Sequence, residues 1–336
     1  MPSLRTEVTE LATALGMFGV DSLDELLAGP VPEAFEGVGI ADWERLRAAR
    51  AARAHDHDFL AAWNNGRAFL MASDGLRGRP PARIEWTGGR RDPGDDVVPA
   101  DLRVDHVYLV SCKYLSKVLH NASPVAVFER SLRGARTRAD HDWFDRVAPA
   151  EHQALYQAVR RAYGSDLGLP EAVHALTKSD RGQLRRRIPR DWNAECVAAY
   201  SELVNRTERV SLDRWLDSLP TSRDQQAMLW RLLRLGGSPY FVLGTSRAAT
   251  VRLRVGTPWD FTAHHSLRSF ELDAGGTGQP TVRWRATCRC PDTGDDVVVD
   301  GHVEIRWSHG RFGGPPEAKV YLDTPPSAVP GYFPLR

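Results

Sequence analysis

The chain has 336 residues, enough for one large domain or two smaller ones with real cores. Its 42% hydrophobic and 26% charged content and its net charge of +1 are ordinary for a soluble globular protein. No apolar run is long enough to span a membrane, Met1–Glu7 is too polar for a secretory signal, and four cysteines build no disulfide framework, so a cytoplasmic protein is expected.

In chain order, residues 4–30 read as short helices, one of them starting at Asp21-Ser22 and stopped by Gly29-Pro30. Between Ala41 and Ala72, Trp43, Leu46, Phe59, Leu60, Trp63, Phe69 and Leu70 recur at helical spacing, with Asn64-Asn65-Gly66 as a candidate interruption. Arg83–Trp86 reads as a short strand before a Gly-rich polar loop through Asp96. Ala100–Val104 and Val107–Tyr114 then form two strands joined by a tight turn at Asp105-His106. A helical stretch is expected from Ser116 to His120, and another from Ser123-Pro124. Glu151–Tyr163, Asn193–Val204, Ser211–Leu219 and Arg223–Leu235 read as helices stopped by Gly236-Gly237. Beyond 239 the pattern changes to strands: 240–243, 251–255, 281–288, 297–307 and 319–322. The expected fold is α/β, a central mixed sheet flanked by helices, followed by a helical basic segment and a β-rich C-terminal region. The expected segments are 1–40, 41–148, 149–237 and 238–336.

Charge is segregated along the chain. Residues 1–120 carry a net −4, residues 121–254 a net +7 and residues 255–336 a net −2. Lys178, Arg181, Arg185, Arg186, Arg187 and Arg190 place six cations within thirteen residues, and Arg130, Arg133, Arg136 and Arg138 form another run. Such clusters grip phosphates by charge irrespective of sequence, though solvated helix faces also look like this.

Only four lysines occur among 44 basic residues, and one of them, Lys113, ends a strand. A compact ammonium suits that position better than a planar guanidinium. Upstream stands Pro99-Ala100-Asp101, and nine residues after Asp101 comes Ser111-Cys112-Lys113. Side chains alternate along a strand, so Ser111 and Lys113 share one face. A hairpin would bring Asp101 to the same end of the sheet. The frame resembles the core of the PD-(D/E)XK nuclease superfamily, with Ser111 in place of the acidic residue of the acidic-x-Lys tripeptide. The order helix, strand, strand, strand, helix is the connectivity that the resemblance implies.

The resemblance also implies a Mg²⁺ (or Mn²⁺) cofactor with Asp101 as a ligand, and Lys113 orienting water or phosphate. The carboxylate missing at Ser111 is then expected from Glu85 or Asp105, with Asp56 or Asp58 on the long helix as further candidates. The implied partner is nucleic acid, DNA rather than RNA, with a role in phage defence, restriction or repair, as a homodimer or beside a partner protein. Other readings of the same residues are a nuclease-like binder that does not cut, a subunit of a defence complex, and a hydrolase of small phosphoesters. A second acidic-x-Lys frame, Asp300 with Glu317-Ala318-Lys319, ranks behind the first because two prolines precede it.

Overall fold

The computed structural model describes residues 3–87, 100–114, 118–129, 142–245, 250–276 and 278–336. Its first stretch runs α1 (Leu4–Leu15), α2 (Leu23–Ala28), β1 (Phe35–Glu36), α3 (Ile40–Ala51), α4 (Asp56–Met71), β2 (Ile84–Trp86), β3 (Leu102–Val104) and β4 (Tyr108–Tyr114). Then come β5 (Val118–Ala122), α5 (Pro124–Phe128), α6 (Trp143–Val147), α7 (Pro149–Tyr163), α8 (Lys178–Arg187), α9 (Ala194–Ser218) and α10 (Ser222–Leu232). The remainder is β6 (Tyr240–Thr245), β7 (Thr250–Val255), α11 (Pro258–His264), β8 (Ser266–Ala274), β9 (Thr281–Arg289), β10 (Asp296–Arg306), β11 (Glu317–Leu322) and β12 (Tyr332–Pro334).

The chain forms two compact units: Met1–Ser116 with Arg234–His265 and Pro325–Arg336, and Lys117–Leu233 with Ser266–Thr324. These units and the four consecutive segments expected from sequence cut the chain along different lines. The strands beyond 239 are shared between both units.

In the first unit a mixed sheet has the order β1-β2-β3-β4-β6-β7-β12. Strands β2, β3 and β4 are antiparallel neighbours, and β6 joins β4 in parallel. The hairpin between β3 and β4 forms as expected, because Asp105 and His106 take φ of 51° and 57° and Val107 N–H closes the turn on Val104 O at 3.0 Å. Alternation puts Ile84, Trp86, Leu102, Val104 and Val110 on one buried face with Val8, Leu11, Leu15, Phe59 and Phe69 of α1 and α4. Each such side chain contributes about 1.5–3 kcal/mol by leaving water. Phe69, Tyr108 and Phe241 lock that face through edge contacts at 4.9–5.9 Å.

The helical stretch from 41 to 72 breaks earlier than its Asn-Asn-Gly triplet suggests. The break lies at 52–55, where Arg53 and His55 take φ of 55° and 68°. Gly66 instead sits inside α4, where α1 crosses it. A Cβ there would lie 2.0 Å from Thr13 O and 2.9 Å from the Cα of Gly16. The glycine is a contact surface between helices and not a stop.

The second unit is built on an antiparallel sheet of order β5-β11-β10-β9-β8. The stretch expected as helix from Ser116 is strand where it is described: Val118–Ala122 pairs with β11 as an edge. The two helices expected over 193–219 are one of 25 residues, α9. Thr207, Ser211 and Trp215 keep its buried stripe continuous, and Ser211 Oγ accepts a hydrogen bond from Trp143 Nε1 at 3.0 Å. Val282, Trp284, Ala286, Val299, Val303 and Ile305 bury one face of the sheet. Gly301 lets strand β10 lie against the Trp284 indole, because a Cβ would stand 2.2 Å from its Cζ2.

Candidate functional site

Asp101 lies one residue before β3, at the end of the ladder with β4. Its Oδ2 accepts the Cys112 backbone N–H at 2.6 Å and the Ser111 hydroxyl at 3.2 Å. The carboxylate therefore continues the ladder where β3 stops, and Ser111, fully buried, holds it. No hydrogen bond reaches Asp101 Oδ1 from the described residues. Lys113 follows on the Ser111 face and is half-buried. It pairs in register with Gly244 of β6, whose Cβ would fall 2.4 Å from Lys113 O. Gly244 thus permits the parallel strand to run alongside the lysine.

The structure adds a carboxylate that sequence reasoning missed. Glu10 of α1 is buried, and its Oε2 accepts the Trp86 indole N–H at 2.6 Å. Burial pushes the Glu10 carboxyl up to about 7, and the charge on Asp101 pushes in the same direction. The Trp86 hydrogen bond and the Lys113 ammonium oppose that rise. Glu10, Asp101 and Lys113 therefore share one electrostatic neighbourhood built from α1, the start of β3 and the end of β4. Between them the Cys112 thiol is held well above its usual range, first by burial and then by the two carboxylates, so it is no nucleophile at neutral pH. A signal for Glu10 was present in the sequence. It interrupts Val8, Leu11 and Leu15, residues that share the buried side of α1.

Of the other expected acids, Asp105, Asp56 and Asp58 are engaged elsewhere. Asp105 lies at the hairpin turn, about 13 Å along the strand from Asp101 at ~3.3 Å per residue. Its Oδ1 accepts the Arg83 N–H at 2.9 Å, so it shapes the turn and does not join Asp101. Glu85 of β2 stands opposite Arg103 of β3, two residues along the ladder from Asp101 and on the same face by alternation. On α4, Asp56 pairs with Arg50 at 2.9 Å and the buried Asp58 with Arg5 at 2.8 Å. The second acidic-x-Lys frame does not assemble. Glu317 stands opposite Arg306, six residues from Asp300, about 20 Å along the strand. Asp300 instead binds Arg285 at 2.7 Å.

The basic cluster is helix α8 and the loop after it, in the second unit. Arg181 is mostly buried, its Nη1 3.5 Å from Phe312 O, and Arg187 pairs with Asp166 at 2.6 Å. Lys178, Arg185, Arg186 and Arg190 are exposed. Three of these arginines also occupy the last turn of α8, where cations offset the helix dipole. Arg130, Arg133, Arg136 and Arg138 lie outside the described residues.

Two carboxylates, each with one oxygen taken by a neutral donor and the other oxygen left to a ligand, suit a hard divalent ion that keeps most of its water. Asp101 leaves its Oδ1 for such an ion, and Glu10 is the carboxylate coupled to it by charge. No family model, no curated protein and no solved structure matches the chain.

Proposed function

We propose that the protein is a metal-dependent nuclease acting on DNA, with Glu10 and Asp101 as the ligands of Mg²⁺ or Mn²⁺. The observation that carries this reading is the Asp101–Ser111 contact on the strand that ends in Lys113, with the buried Glu10 coupled by charge to Asp101 and Lys113. A bound divalent ion would neutralise phosphate charge and lower the pKa of an attacking water. The residues of the chain do the rest. Trp86 fixes Glu10, while Ser111 and the Cys112 N–H fix Asp101, so both carboxylates are oriented before a ligand arrives. Lys113 supplies a point charge for a phosphate oxygen and, with three rotatable donors, can follow it as charge builds. Ser111 contributes a neutral oxygen where the superfamily pattern has an acid, and Glu10 restores the negative charge from α1. The exposed cations Lys178, Arg185, Arg186 and Arg190 would add affinity for the polyanion. A cytoplasmic role in phage defence, restriction or repair is consistent with such an activity.

A non-cutting binder on the same scaffold is the reading favoured by one observation: Asp101 Oδ2 already serves the β3–β4 ladder. One experiment separates the two. Cleavage of single- and double-stranded DNA and RNA is measured with Mg²⁺ and with Mn²⁺, for the wild-type protein and Asp101→Asn. A nuclease loses cleavage in the variant and keeps binding. A pure binder retains nucleic acid in both forms and cuts it in neither.

A further inference from the structure

The second unit holds another convergence of metal-ligating groups, distinct in chemistry from Glu10 and Asp101. Asp142 caps α6, with Oδ1 accepting the Phe144 N–H at 3.0 Å. Asp145 lies one turn further on α6, and His152 comes from α7. One ligand atom from each of the three lies within 4.8 Å of the others. His152 Nδ1 is 2.6 Å from Asp145 Oδ1.

Two features single this cluster out from an ordinary helix cap. Asp142 is 7% exposed, and its buried Oδ2 has no hydrogen-bond donor among the described residues. Among the described residues Arg181 pairs with that oxygen, its Nη1 at 3.9 Å and so beyond hydrogen-bond reach. His152 is fully buried, and its Nε2 also has no partner among the described residues. Its ring is walled by Phe312, stacked at 5.7 Å, and by Phe144 at 5.5 Å. A buried carboxylate oxygen with nothing to accept is costly, and an ion at that position removes the cost.

We propose that Asp142, Asp145 and His152 bind one Zn²⁺ that ties α6 to α7. An imidazole with two carboxylates is a nitrogen and oxygen set suited to zinc, whereas Mg²⁺ prefers oxygen alone. Three protein ligands leave one position of a tetrahedral zinc to water, and the burial of the imidazole holds the ion between the two helices. It stands independently of the nuclease reading, because none of its residues belongs to the first unit.

The test uses the full chain, stripped with a chelator and titrated with Zn²⁺ alone. Wild type should bind one zinc per chain by calorimetry and elemental analysis, with a rise in thermal midpoint. Asp142→Asn and Asp145→Asn should each weaken binding at least about tenfold. X-ray absorption on zinc-loaded wild type needs no variant to fold: it should show nitrogen and oxygen neighbours and no sulfur. Absence of zinc binding overturns the proposal, as does sulfur ligation or binding that survives both aspartate substitutions.

Discussion

The end of the first sheet and the α6–α7 cluster of the second unit both bury carboxyl groups, yet they differ in what compensates the charge. Burial is the largest influence on both Glu10 and Asp142 and raises both. Around Glu10 the next influence is another carboxylate, Asp101, with Lys113 as the opposing cation. Around Asp142 the next influence is the His152 imidazole, which opposes the rise, while Asp145 adds to it. A pair of acids with a half-buried lysine is suited to a hard cation and a phosphate. Two acids and an imidazole within aromatic walls are suited to a resident ion. Charge composition and access, more than the number of acids, distinguish the two clusters.

The largest expected effect in that comparison is on catalysis. Asp101→Asn should lower the cleavage rate by about 10²–10³-fold, the scale seen when one preorganised polar group is removed. The asparagine carbonyl can still accept the Cys112 N–H, so the thermal midpoint should move little. A stable variant with unchanged cleavage would move Asp101 into the purely structural class.

Next come the two close approaches that build each unit. Gly66→Ala puts a methyl 2.0 Å from Thr13 O, and Gly301→Ala puts one 2.2 Å from the Trp284 ring. Each should cost about 1–3 kcal/mol or more by overpacking, measured by denaturant unfolding. If the units unfold separately, Gly66→Ala should shift one transition and Gly301→Ala the other.

Glu10 provides a pH-dependent test of comparable size. Its carboxyl is raised from 4.5 to about 7 in the folded protein. The folded state therefore binds the proton more tightly than the unfolded chain does. The stabilisation this brings is complete below pH ~4.5 and is lost as pH rises through ~7. In chelator at pH 8, Glu10→Gln should be more stable than wild type by up to about 3 kcal/mol, because the amide carries no charge to bury. The difference should vanish at pH 4, and urea midpoints at both pH values report it. Equal stability at pH 8 would show that Glu10 is not strained by burial.

The smallest expected effect concerns α8. Arg185→Gln with Arg186→Gln should weaken DNA binding and reduce the slope of log K against log salt by about 2, with the cleavage rate at saturation unchanged. An unchanged slope would leave the dipole role in the last turn of α8 as the reason for these arginines.

Local pattern made the β3–β4 hairpin legible, because alternation and a tight polar turn act within a dozen residues. The Asp101–Ser111 contact followed from that hairpin. Glu10 was legible only as an acid interrupting Val8, Leu11 and Leu15, because its partner Trp86 is 76 residues away and only the packing of α1 on the sheet joins them. Gly66 was misread for a related reason: in sequence a glycine looks like a stop, and only the approach of α1 shows what it permits. Strand β8 went unseen because it is an edge strand with no fully buried residue. Asp105 was expected both in the tight turn and as a ligand, and the structure uses its carboxylate in the turn, where Oδ1 accepts the Arg83 N–H.

The most direct measurement is metal-dependent cleavage by wild type, Glu10→Gln and Asp101→Asn on one DNA substrate across a Mg²⁺ titration. The two-carboxylate site requires cleavage that rises with Mg²⁺ in wild type and is lost in both variants while binding persists. Undiminished cleavage in both variants, or a wild type that cuts no nucleic acid with either Mg²⁺ or Mn²⁺, would contradict it.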